Sequence, residues 1–268
     1  MRTLQSKIAE FGLKGTLIKA YSKFISLFYE GGYQNPDPNS EHLLDQSELA
    51  RIFRENTGNQ IHKWHHYFQI YERHLGHLRG TPFKMLEIGV FRGGSLEMWR
   101  TYFGAQAEIT GIDIDPSCAK FDGLAGTVRI GSQADVDFLR KTAEEMGGID
   151  VVIDDGSHDN LHISKSFDVL FPLLSDGGIY IVEDLHCSYW PSFSGGYSTP
   201  WSFINRAKRL VDDMHHWYHR RGQRDAASRD HLGAVHFYDS VIVFEKRRVE
   251  APVCTIRPLE GLRPEDER

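Results

Sequence analysis

Apolar positions change their spacing twice along this chain. In LKGTLIKAYSKFISLF (13–28), Leu13, Leu17, Tyr21, Phe24, Ile25 and Phe28 recur at helical spacing. Lys14, Lys19 and Lys23 interrupt the run, so it is neither a signal-peptide core nor a membrane span. The stripe predicts an amphipathic helix packed on the domain or on a second subunit. The rival reading is a helix lying on a membrane surface. GGYQNPDPNS (31–40) clusters Gly, Pro and Asn and predicts a loop. A helical region is expected over roughly 45–78. It carries His62, His65, His66, His74 and His77 among aromatics, with no HExxH pattern, so helix packing outweighs a metal centre there.

From residue 83 the spacing shortens. FKMLEIGV, EITGIDID, TVRIGS, DVVIDD and GIYIVED are five brief apolar runs, with helical stretches at 94–103, 133–146 and 160–174. Strands alternating with helices predict an α/β fold with a mostly parallel, doubly wound sheet. Such sheets bind ligands beyond the C-terminal ends of their strands. Residues 201–220 read as a further helix. GAVHFYDSVIVFEKR then holds two β-rich runs joined at Tyr238, Asp239 and Ser240, which predicts a terminal antiparallel hairpin. The expected division is an N-terminal helical arm and linker (1–40), one main domain (41–250) and a polar tail (251–268).

Composition changes this picture little. A chain of 268 residues with 40% hydrophobic and 25% charged positions suits one soluble domain with an extension. A net charge of −6 argues against a nucleic-acid partner. Cys118, Cys187 and Cys254 form no CxxC pair, which suggests reduced thiols and a cytoplasmic protein.

The candidate chemistry sits at the strand ends. LEIGVFRGGS (86–95) closes the first strand and opens a helix, and its glycines let backbone approach a ligand. The spacing Glu87, Gly89, Gly93, Gly94 is not the dinucleotide pattern GxGxxG, which counts against a nicotinamide oxidoreductase. It resembles the E-x-G-x-x-x-G form of S-adenosylmethionine (SAM) methyltransferases. In that reading Ser95 and the loop amides hold the SAM carboxylate. Asp113 ends the second strand, about 20 residues on, where an acid accepts from ribose hydroxyls. Ser132 and Gln133 follow the third strand, at the adenine edge.

VVIDDGSHDN (151–160) and IYIVEDLH (179–186) load two further strand ends with Asp154, Asp155, His158, Glu183, Asp184 and His186. One helix and one strand separate Asp155 from Glu183, so a single crossover sets the two ends side by side. Asp155, Glu183 and Asp184 then converge on a hard cation, Mg²⁺ or Mn²⁺. The plain alternative is polar loop residues at a sheet edge.

IDDGSH, VEDLH, LEIGVFRGGS and HFYDS together resemble the metal-dependent sugar O-methyltransferases of macrolide and rhamnose tailoring, over roughly residues 60–246. That resemblance implies a Rossmann-like class I methyltransferase fold with SAM and Mg²⁺ as cofactors. It implies Asp155, Glu183 and Asp184 as metal ligands, His158 as general base, and Asp154 on the SAM side or supporting the metal. The macrolide enzymes carry a sizeable further N-terminal domain, against which this chain shows a short helical extension. The implied reaction is methylation of a sugar hydroxyl on a natural product or polysaccharide. A catechol or phenolic acceptor with the same metal site is the alternative, and a non-catalytic binding protein is a third. His186 is the rival base. Tyr189, Trp190, Tyr197 and Trp201, in an aromatic loop at 186–201, are the acceptor candidates, with Tyr67 and Tyr71 reaching in from the preceding helix. A homo-oligomer built on the N-terminal helix is expected.

Overall fold

The structure, a computed structural model, describes residues 4–27, 40, 44–255 and 257. Phe28, the loop at 31–39 and the tail beyond 257 lie outside the described residues.

Seven strands form one sheet: β1 (Phe83–Ile88), β2 (Ala107–Asp113), β3 (Thr127–Ile130), β4 (Ile149–Asp154), β5 (Leu174–Val182), β6 (Leu232–Phe237) and β7 (Ile242–Lys246). Their order is β3-β2-β1-β4-β5-β7-β6. The first five pair in parallel, and β7 and β6 add an antiparallel hairpin. The expected turn closes it, Tyr238 N donating to Val241 O at 2.9 Å.

The apolar runs at 83–90 and 150–155 do not alternate with polar residues because both faces of the sheet are covered. Met85, Val151, Ile153, Ile181 and Val243 face α2 (Glu48–Arg54), α3 (Tyr67–Leu75) and α4 (Gly94–Phe103). Their neighbours Leu86, Val152, Tyr180, Val182 and Phe244 face α5 (Val136–Met146), α6 (Asn160–Leu170) and α7 (Phe203–Met214). Asp135, Asp159 and Ser202 cap the last three helices with side-chain oxygens. α5 therefore starts later than position 133. α6 stops before 174, ahead of Pro172, which has no N–H to continue a helix.

Two expectations need correction. The helical region at 45–78 is broken. Residues 55–66 between α2 and α3 form a loop, so His62, His65 and His66 are not on a helix. The cause is local: Asn56 and Asn59 make turn contacts, and Asn59 is tied to Glu97 of α4 through its N–H (3.0 Å) and Nδ2 (2.6 Å).

The N-terminal helix α1 (Leu4–Ser26) forms, with non-helical backbone at Gly12, but its apolar stripe does not pack on the domain, which corrects that one of the alternatives for the stripe. Leu13, Leu17, Tyr21 and Phe24 are all more than half exposed. The face turned inward carries Thr16, Ile18 and Ser22. Polar and ring contacts decide the docking: Lys19 Nζ lies 2.8 Å from Asp159 Oδ2, and Phe11 stacks on His162 at 5.2 Å. No described helix is long and apolar enough to cross a membrane.

Candidate active site

The register of the sheet builds the site. Ile112, Ile88, Asp154 and Val182 are neighbours across β2, β1, β4 and β5. The residues that follow, Asp113, Gly89, Asp155 and Glu183, therefore emerge in a row. Main-chain bonds continue the row past the strands: Gly89 N to Ile112 O (2.8 Å), Asp155 N to Ile88 O (3.0 Å) and Glu183 N to Asp154 O (3.0 Å). The strand order reverses between β1 and β4, which is where open α/β sheets form their ligand crevice. A cleft of about 580 Å³ opens there, lined by Gly89, Ser95, Asp113, Ser132 and Gln133 at one end and by Asp155, His158, Glu183 and Asp184 at the other.

At the first end, Asp113 Oδ2 accepts from Val90 N and Phe91 N, each at 2.9 Å, and Oδ1 from Asp115 N. A carboxylate offers about four acceptor sites, so capacity remains for a ligand. Gly89 has φ 102°, and a Cβ there would lie 2.2 Å from Asp155 O. Gly93, left-handed at φ 78°, starts α4 from behind the cleft. Gly94 makes room for the loop at 55–66, since its Cβ would lie 2.4 Å from Gln60 O. Gln133 spends its amide on the scaffold: Nε2 donates to Asp154 Oδ1 (3.0 Å) and Oε1 accepts from Ser157 N (2.7 Å). Ser132 Oγ accepts from Ala134 N.

Glu87, expected at the cofactor, and Asp154, expected on the SAM side or supporting the metal, stand behind the cleft instead of lining it. Both are buried. Asp154 is held by Gln133, Ser166 and Tyr180. Glu87 accepts from Trp99 Nε1 and Ser95 Oγ, each at 2.9 Å. Burial pushes the Glu87 carboxyl up to about 7 from its ordinary 4.5, against the pull of Lys63. A raised carboxyl favours the proton in the folded state. Its contribution to stability is therefore full at low pH and is lost as pH rises from about 4.5 through about 7. Glu87→Gln removes the charge while its Oε1 still accepts from Trp99 Nε1 and its Nε2 can donate to Ser95 Oγ, reversing that bond. It is expected to unfold at a higher temperature than wild type at pH 8, by an amount worth at most about 3 kcal/mol, and at no higher a temperature at pH 4. Scanning calorimetry at both values checks this. A drop of equal size at both would show that ionisation is not the controlling factor.

At the other end two of the acids meet a histidine. Donor atoms of Asp155, His158 and Asp184 all lie within 4.8 Å of one another. His158 Nε2 is 3.6 Å from Asp184 Oδ2, and its Nδ1 is buried without a hydrogen-bond partner. Asp184 Oδ1 accepts from Tyr67 OH at 2.7 Å. Three non-glycine residues on the cleft, Phe91, His158 and Asp184, adopt positive φ of 50–53°. Such strain persists where the surroundings enforce it, and it concentrates at functional sites.

Glu183 sits deeper than a freely offered ligand. Its Oε1 accepts from Tyr71 OH (2.6 Å) and its Oε2 from Lys63 Nζ (2.7 Å), and Lys63 Nζ also lies 2.5 Å from Asp155 Oδ2. Burial raises the Glu183 carboxyl, and Asp155 adds to it, against the pull of Lys63. Burial disfavours the Lys63 ammonium, but Asp155, Glu183 and Glu87 outweigh it and hold the group protonated. The carboxylates of Asp155 and Asp184, with that of Glu183 behind, fit a hard divalent cation.

Sequence reasoning missed Lys63. It is the only lysine between Lys23 and Lys84. The signal available was charge balance, since several acids ending buried strands demand a counter-ion, and that demand was assigned wholly to metal. The rival base, His186, is set against Ser240 Oγ (3.2 Å) and between Trp64 and Trp190. None of the four aromatic acceptor candidates lines the cleft. Tyr189 and Tyr197 stack on each other at the surface, Trp190 leans on His186 and Phe193, and Trp201 donates to Ser194 O at 3.0 Å. Tyr67 does line it, and Trp64, not predicted, joins it. A second donor group, His74, His236 and Glu245, is closed on itself through His236 to Glu245 (2.8 Å) and His74 to Tyr238 (2.9 Å).

A mostly parallel sheet with a terminal antiparallel hairpin, and a cleft joining a glycine turn and a second-strand acid to an acidic cluster, define a Rossmann-like methyltransferase. The profile of the methyltransferase domain family matches residues 86–185. The chain is 40% identical over 197 residues to an 8-demethyl-8-alpha-L-rhamnosyl tetracenomycin-C 2'-O-methyltransferase of Streptomyces olivaceus, covering 69% of this chain and 52% of that protein. It is 37% identical to a mycinamicin VI 2''-O-methyltransferase of Micromonospora griseorubida, covering 64% of this chain and 44% of the relative. Among solved structures, the MycE methyltransferase in complex with Mg, SAH and mycinamycin VI matches at TM-score 0.66 and 32% identity, over 75% of this chain and 53% of that one. The chain carries a methyltransferase domain and is similar to these sugar O-methyltransferases. It spans about half the length of the curated relatives it matches.

Proposed function

We propose that the protein transfers a methyl group from SAM to a hydroxyl of a sugar borne by a natural product or polysaccharide, with Mg²⁺ at the acidic cluster and His158 as general base. The observation that carries this is one continuous cleft. It runs from Gly89 and Asp113, placed for a nucleoside, to Asp155, His158 and Asp184, placed for a cation and an acceptor. The names of the relatives support the sugar acceptor.

SAM brings the methyl electrophile, and a bound Mg²⁺ adds positive charge beside the acceptor oxygen. The chain supplies the rest. Asp113 and the turn at Gly89 hold the nucleoside portion. Asp155 and Asp184, with Glu183 behind, orient the acceptor end. Tyr67 fixes Asp184 by donating to one of its oxygens. His158 takes the hydroxyl proton as the oxygen attacks, a step that positioned bases accelerate substantially. Holding oxygen and methyl in line provides much of the remaining rate.

The test begins with S-adenosylhomocysteine titrated into the protein by calorimetry, with Mg²⁺ and again with EDTA. Micromolar binding is expected in both. Methyl transfer is then measured on glycosides and on catechols, and turnover on glycosides that stops in EDTA is the expected result. Catechol-only turnover would replace the sugar acceptor, full activity in EDTA would remove the metal, and absent binding would overturn the cofactor.

A further inference from the structure

We infer that Lys63 is a built-in counter-cation, which keeps the acid cluster satisfied without metal and thereby lowers its affinity for a divalent ion. This rests on the reading of the cluster as a Mg²⁺ site. The placement is specific. The Lys63 side chain is 2% exposed and that of Glu183 is 1% exposed, and the ammonium bridges Asp155 Oδ2 and Glu183 Oε2. Tyr71 OH completes the second oxygen of Glu183. The loop that delivers Lys63 is anchored just ahead of it. Asn59 is bonded to Glu97, and Gln60 O is seated where Gly94 has no side chain.

A buried Glu183 carboxylate beside the partly exposed one of Asp155 is unfavourable without a cation, and a single ammonium offsets most of that. Metal-binding sites made of acids alone leave this strain in the metal-free state, and the incoming ion relieves it. Here Lys63 has already relieved it. Asp155 belongs both to the Lys63 bridge and to the donor group with His158 and Asp184. An entering cation must therefore share Asp155 with a fixed positive charge a few ångströms away, and like charges at that range repel strongly in a buried site. The site is thus stable when empty and exchanges its ion readily.

The experiment uses the whole chain, stripped with EDTA and saturated with S-adenosylhomocysteine. MgCl₂ is titrated calorimetrically into wild type, Lys63→Gln and Lys63→Arg, and thermal unfolding is followed with and without excess MgCl₂. Lys63→Gln is expected to bind Mg²⁺ at least about tenfold more tightly than wild type, with Lys63→Arg near wild type. Without metal, Lys63→Gln should unfold at a lower temperature, and MgCl₂ should close the gap. If Lys63→Gln folds only when MgCl₂ is present, the inference is supported; failure to fold even then overturns it. Equal or weaker binding in Lys63→Gln, with wild type binding normally, overturns the inference alone. Binding by neither protein overturns the metal reading along with it.

Discussion

Asp155→Ala is expected to reduce methyl transfer by about three orders of magnitude or more, while leaving S-adenosylhomocysteine affinity within about tenfold of wild type. Asp155 is the residue on which the site converges. Its Oδ2 meets Lys63 Nζ, and its carboxylate belongs to the only described donor group on the cleft. Its main chain meanwhile floors the cofactor turn, with N bonded to Ile88 O. Alanine removes the first function and keeps the second. Calorimetry and a steady-state assay separate them. Full activity would dismiss the metal role, whereas equal loss of cofactor binding would show that the side chain holds up the turn.

His158→Asn is expected to lower kcat by about 10²–10⁴ and to leave Mg²⁺ affinity within about tenfold. Asparagine is the informative substitute because His158 has φ 53°, and asparagine tolerates that left-handed backbone where most residues do not. His158 stands close enough to Asp155 and Asp184 to be a ligand as well as a base. The two roles give different results. A base leaves the metal titration intact while kcat falls. A ligand takes metal affinity down along with kcat. His186, set against Ser240, is not positioned to substitute.

The strands, their parallel pairing and the terminal hairpin were legible because short apolar runs carry their own boundaries. The convergence of Asp155 and Asp184 was legible too, since parallel strands in register place successive strand ends together. What escaped was long-range. Lys63 lies far from Glu183 in the chain and reaches it through a loop whose path is set by Glu97 and Gly94. Aromatic and histidine content over 45–78 carried the helical reading across that loop, although Asn56, Thr57, Gly58 and Asn59 are themselves a turn signal. In α1, hydrophobic periodicity pointed to Leu13, Leu17 and Phe24, but Lys19 and Phe11 found specific partners at Asp159 and His162, and the opposite face turned inward. Aromatic content at 186–201 suggested an acceptor surface. Those rings mostly pack on each other and on the loop backbone, and Trp64 and Tyr67 meet the cleft instead.

The contact between Gly89 and Asp155 has a geometric consequence. A Cβ on Gly89 would stand 2.2 Å from Asp155 O, so the cofactor turn and the cation-bearing strand end touch through bare backbone. With Gly89 N on Ile112 O and Asp155 N on Ile88 O, three strand ends are locked as one jig. In the proposed reaction, the gap between methyl donor and cation is thus gauged by peptide groups, not by side chains that a substitution could lengthen. Loops around the mouth can be reshaped while the spacing of these strand ends stays constant.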